Sequence, residues 1–143
     1  MNLPIELTAD SIDERKIYFF HDVVPDGSDI YPRHRYICFK KHCQVVCLVE
    51  CTTQEATIDK YIMQRSLPTA TKVHLSPNET LNLPKDTFIN CNTCYSCEVK
   101  DLAKLLSDGT VDFCGEIEGA DYASIISGLK VSPVIKPAIK ALL

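Results

Sequence analysis

The sequence predicts an α+β chain built on a small, mostly antiparallel β-barrel or strongly bent sheet, with helices added toward the C-terminus. Three observations predict it. Short β-branched and aromatic runs recur between Pro, Gly and Asn punctuation. Helical spacing appears in separate stretches between them, without the regular strand and helix alternation of a parallel sheet. No internal repeat, low-complexity tract or linker composition interrupts the 143 residues, so a single domain spanning 1–143 is expected.

The first strand is expected at Ile17–Val24, ending in a loop through Pro25, Asp26, Gly27 and Ser28. A second strand covers Arg35–Phe39, and Lys40, Lys41 and His42 form the connection to a third at Cys43–Thr52. The period of two places Cys43, Val45, Cys47, Val49 and Cys51 on one face, read as core, and Gln44, Val46, Leu48, Glu50 and Thr52 on a more polar one. A Thr53 cap starts a helix that runs to about Arg65. Lys72–Leu75 and Thr87–Cys91 are further short strands. Ser96 is placed to cap a helix carrying Val99, Leu102, Ala103, Leu105 and Leu106, with Gly109 where a left-handed residue ends it. A last strand at Val111–Ile117 precedes helical spacing at Tyr122, Ile125, Ile126 and Leu129, and Ser132-Pro133 starts a final helix.

The net charge of −4 argues against a protein that coats nucleic acid through bulk electrostatics. The charge is unevenly spread: Arg33, Arg35, Lys40 and Lys41, with His34 and His42, form an acid-free run, whereas Glu116, Glu118 and Asp121 make the later chain acidic. The basic run is either a solvated strand rim or a local phosphate site. The acidic start MNLPIELTADSIDERK lacks the basic and apolar regions of a signal peptide, and no apolar stretch reaches membrane-spanning length. A cytoplasmic location with no membrane association is therefore expected, and there the eight cysteines stay reduced.

Three constellations could carry chemistry. Cys91, Cys94 and Cys97 form a CxxCxxC run, with Cys114 seventeen residues beyond, and four thiolates would suit tetrahedral zinc. The spacing lacks a second CxxC pair, so packing is the competing role and no cofactor is assigned. A thiol nucleophile would use Cys38 or Cys43 with His34 or His42. The third constellation sets Arg35 at the mouth of one strand and Thr52 at the end of the next. RNA cleavage by internal transfer needs a cation on the phosphorus oxygens and groups that move two protons. Arg35 supplies the fork of donors, His34 or His21 the proton transfer, and Thr52 a hydroxyl for a phosphate oxygen.

The stretches Arg33-His34-Arg35-Tyr36 and Glu50-Cys51-Thr52-Thr53-Gln54 resemble the MazF/PemK family of toxin endoribonucleases, whose corresponding strands open near His-Arg-Pro and close near Pro-Cys-Thr-Thr-Gln. The resemblance covers roughly residues 16–54, and Tyr36 stands where the family has proline. It implies an SH3-like barrel, a homodimer, metal-independent cleavage of single-stranded RNA, and an antitoxin that blocks the groove. By that resemblance Arg35 and Thr52 match the catalytic arginine and threonine; His34 is the third expected catalytic residue, and Arg33, Lys40, Lys41 and His21 are expected to bind the RNA. A non-catalytic binding module on the same barrel and a small zinc-stabilised domain are the alternatives.

Overall fold

A computed structural model describes residues 11–21 and 30–143. Its strands are β1 (Lys16–Phe20), β2 (His34–His42), β3 (Val45–Thr52), β4 (Lys72–Leu75), β5 (Thr87–Asn90), β6 (Tyr95–Glu98) and β7 (Val111–Glu116). The helices are α1 (Glu55–Gln64), α2 (Val99–Ser107), α3 (Gly119–Val131) and α4 (Pro137–Lys140). The strands form one seven-stranded antiparallel sheet in the order β4-β5-β3-β2-β1-β7, with β6 also paired to β3. Among the described residues the sheet is not closed into the expected barrel, and β4 and β7 are its two ends. A short turn at Glu79–Leu81 packs against β7 instead, and Gly115 lets Leu81 approach to where a Cβ would stand 2.7 Å from its Cδ2.

The β2–β3 hairpin is the centre of the sheet. β2 is longer than expected: Lys40, Lys41 and His42 belong to the strand, and the tight turn is Cys43–Gln44, with Cys43 at φ 54°. Cys43 is consequently exposed, as is much of Val45, so neither joins the core the alternation assigned them. Cys47, Val49 and Cys51 do. They face Ile17, Ile37, Ile89, Ile125 and Leu129 in a core covered by α3. The opposite face was expected to be more polar, yet Val46 and Leu48 are fully buried with Tyr18, Tyr36 and Cys38 beneath Leu102 and Ala103 of α2. Helices cover both faces, and a strand buried twice reads as a continuous apolar run instead of an alternation. A third, smaller cluster joins Ile58 and Ile62 of α1 to Phe88 of β5 on this second face.

Other boundaries moved for local reasons. Residues 22–24 and the loop through Asp26, Gly27 and Ser28 lie outside the described residues. α1 is capped at Gln54 without a side-chain bond, and Ser96 belongs to β6, so α2 starts after Glu98 with its Val99 amide donating to the Gln44 carbonyl at 2.8 Å. Gly109 adopts φ 82° just beyond α2, as expected. Ser132 does not start a helix; it is buried, donates to Asn92 Oδ1 at 2.7 Å, and α4 begins instead at Pro137.

Gly128 sits where α3 crosses the sheet: a Cβ there would lie 2.8 Å from Cys91 Sγ and 3.0 Å from the Ala70 carbonyl oxygen. Gly128→Ala should cost about 1–3 kcal/mol through overpacking, read from urea midpoints; an unchanged midpoint would refute this seating of α3.

Burial pushes the thiols of Cys38, Cys51, Cys91 and Cys97 up to about 12 from an ordinary value of 9.0. The folded state therefore favours the neutral thiols, a contribution fully present below pH 9 and lost as pH rises toward 12. Unfolding free energy should fall across that alkaline window and stay flat just below it with respect to these groups; a constant value up to pH 11 would contradict the burial.

Candidate functional site

The antiparallel register fixes which candidate residues meet. Arg35 pairs with Cys51 across β2–β3 and with Phe19 across β1–β2. Residues directly opposite one another project to the same side of a sheet, and successive residues to opposite sides. Arg35 thus shares the face of Cys51, whereas Thr52 pairs with Phe88 and projects to the other face. The two side chains do not share a hollow. His34 lies with Thr52, not with Arg35.

On the Arg35 side, the guanidinium sits 5.1 Å from the centroid of the Phe19 ring. His21 meets the same ring edge-on, with centroids 4.6 Å apart. The His21 imidazole is held by Asp112 of β7, with Nε2 2.7 Å from Oδ2, in a pair that stays 42% and 58% exposed. Such an exposed pair adds little stability, but it fixes the ring and leaves Nδ1 for another partner. Arg35 Nε is buried and finds no acceptor among the described residues. The thiols of Cys51 and Cys114 lie nearby: burial raises both above the ordinary thiol value, and the Arg35 charge pulls the other way. A guanidinium beside an oriented, accessible imidazole suits a tetrahedral anion.

On the opposite side, a groove of about 340 Å³ opens between β3 and α1. His34 Nδ1 lies 3.4 Å from Glu50 Oε1 within it. Burial first, then the Glu50 charge, pushes the Tyr95 phenol up to about 12, so it remains a neutral donor beside the carboxylate. Thr52 Oγ1 accepts from the Gln54 amide at 3.1 Å, which leaves its hydroxyl proton available. Sequence reasoning missed Asp112 and Glu50. Asp112 is distant in sequence from His21, and Glu50 looked like one polar position among several.

The other expected site residues are dispersed. Lys40 reaches Glu14 at 3.8 Å and the Lys41 amide donates to the same carboxylate at 3.3 Å. Both lie toward the far end of β2, roughly 17 Å along the strand from Arg35. Arg33 is exposed before β2, at φ 64°, with its amide bonded to the Phe20 and His21 carbonyls.

The zinc alternative is not assembled. Cys91 is buried under α3, Cys97 belongs to the core on the other face, Cys94 lines a separate cavity with Lys136, and Cys114 lies on β7. Among the described residues no three His, Cys, Asp or Glu side chains are grouped to hold a metal ion. The thiol-nucleophile alternative loses Cys38, which is sealed in the core with its thiol pushed up to about 12 by burial. No protein-family model matches the chain, and no curated protein matches it. Among the described residues no helix is long and apolar enough to cross a membrane.

Thiol accessibility tests this arrangement. With limiting iodoacetamide at neutral pH, Cys43 should alkylate first and the half-buried Cys94 and Cys114 later, while Cys38, Cys51, Cys91 and Cys97 react only on unfolding. Peptide mass spectrometry reads the order, and early labelling of Cys91 or Cys97 would contradict it.

Proposed function

We propose that this chain is a MazF/PemK-like endoribonuclease that cleaves single-stranded RNA without a metal ion. The observation that carries the proposal is the cluster around Phe19, where Arg35 and the Asp112-held His21 flank one ring. In internal transfer the 2′-oxygen attacks the adjacent phosphorus and the 5′-oxygen leaves, which closes a 2′,3′-cyclic phosphate. Arg35 neutralises charge on the phosphorus oxygens through its guanidinium fork. His21 takes the proton of the attacking hydroxyl at Nδ1, and the exposed site leaves water to protonate the departing oxygen. Thr52, matched by the resemblance, and His34, expected to transfer a proton, face the other side of the sheet and do not join this step. The SH3-like barrel, the homodimer, the antitoxin and a cytoplasmic setting belong to the same proposal and rest on the resemblance.

A second function class is favoured by one observation: Arg35 and Thr52, the pair that carries the resemblance, are separated by the sheet. On that account the chain is a non-catalytic RNA-binding or partner-binding relative.

Incubating the protein with long single-stranded RNA in EDTA tests both. Cleavage should yield 2′,3′-cyclic phosphate ends and fall by about 100-fold or more in Arg35→Ala and in His21→Ala. Lys41→Ala should leave it unchanged, because that side chain lies at the far end of β2. Cleavage that survives Arg35→Ala would overturn the assignment. RNA binding without turnover would select the second class.

A further inference from the structure

The groove on the opposite face is unused by the reaction, yet it lies at the same strand end: His34 lines it and the adjacent Arg35 faces the Phe19 cluster. Its volume of about 340 Å³ stands at the small end of ligand pockets, which run roughly from 300 to 1,000 Å³. It is too small for a folded partner and suits one planar group. Its floor is polar. Glu50 keeps 23% of its side chain exposed there, although His34 and Tyr95 steady the carboxylate. A carboxylate has about four lone-pair positions, so these partners leave acceptor capacity.

The donors beside it are specific. The Thr52 hydroxyl proton is free of the bond that its oxygen accepts from Gln54. Asn90 uses its carbonyl oxygen to accept from Asn92, which leaves the amide hydrogens. Tyr61 and Tyr95 add aromatic surface to the walls. An unpaired base is recognised in single-stranded RNA by stacking on such rings and by hydrogen bonds to its Watson–Crick edge.

We propose that this groove is a base-recognition subsite for guanine in single-stranded RNA, read by Glu50 with Thr52 and Asn90. Guanine alone among the four bases presents two adjacent donors, N1–H and the N2 amino group, next to an acceptor at O6. Glu50 accepts from the two donors, and the Thr52 hydroxyl or the Asn90 amide donates to O6. Adenine, cytosine and uracil each offer this carboxylate a single donor. An RNA strand passing over the start of β2 would leave a phosphate at Arg35 and place a neighbouring base in the groove, because His34 and Arg35 are successive residues on opposite faces. This subsite rests on the RNA proposal, since it deepens what that proposal binds.

Binding of 2′-O-methyl oligonucleotides, which lack the attacking hydroxyl, separates recognition from cleavage. Fluorescence anisotropy should show tighter binding when one position is guanine than when it is inosine, which lacks only the N2 amino group. About tenfold is expected for one donor of a bidentate pair. Glu50→Gln should lose the guanine-over-inosine preference while keeping affinity for an adenine oligonucleotide, with an unchanged thermal midpoint confirming the fold. Equal affinity for guanine and inosine would overturn the subsite, as would a preference that survives Glu50→Gln. Cleavage dependent on Arg35 without any base preference would refute the subsite and leave the nuclease standing. Guanine preference without cleavage would support the subsite and refute the nuclease. No binding to any oligonucleotide would overturn the subsite.

Discussion

The pairing of Arg35 with Cys51 is the constraint on which the arrangement of chemistry depends. In an antiparallel ladder that one register decides the face of every neighbouring side chain, and a slip of one residue would exchange them all. Given this register, Ile37, Phe39, Val49 and Cys51 enter the core under α3, while Tyr36, Cys38 and Leu48 enter the core beneath α2. Both sets are large enough that reversing them would leave two cores mismatched at once. The polar ends of the strands have no such protection of their own. Arg35 and Thr52 go where the buried residues between them send them.

The cysteines follow the same logic. Cys47, Cys51 and Cys91 pack into one core, Cys38 and Cys97 into the other, and each acts as a small apolar residue whose thiol burial keeps neutral. Cys91 also accepts the close approach of Gly128, so its size is matched to the helix above it. The CxxCxxC spacing that suggested a metal instead spans a turn and a strand, with its ends facing different cores.

How much of this was legible in the sequence depended on whether a signal was local. The strand at Lys72–Leu75, the left-handed Gly109 and the helical spacing of Leu102, Ala103 and Leu105 are set by neighbouring residues, and each was read correctly. The burial of Val46 and Leu48 was not, because it requires knowing that a second helix covers their face. The same limit governed the candidate site. Arg35 and His21 stood out as residue types, but Asp112, 91 residues beyond His21, becomes their neighbour only through β1–β7 pairing. Conversely, Thr52 seemed to belong with Arg35 because both stand at strand ends. That inference treated nearness along two paired strands as convergence of side chains, and parity separates them.

The separation itself sets what the proposed site could engage. A guanidinium and a hydroxyl on one wall would surround a phosphate from one side, whereas here the cationic cluster around Phe19 and the Glu50 groove lie on different faces of the sheet. On the proposed reading a nucleotide has the matching division, its phosphate at Arg35 and His21 and its base edge at Glu50, Thr52 and Asn90. Arg35 of β2 is paired with Cys51 of β3, between Glu50 and Thr52, and Thr52 is paired with Phe88 of β5, so the spacing of the two clusters is held by the strand ladder and does not depend on a flexible linker. On the proposed reading such a site positions a backbone and reads a base from one paired set of strands, provided the ligand is single-stranded and able to turn over the edge between the two faces.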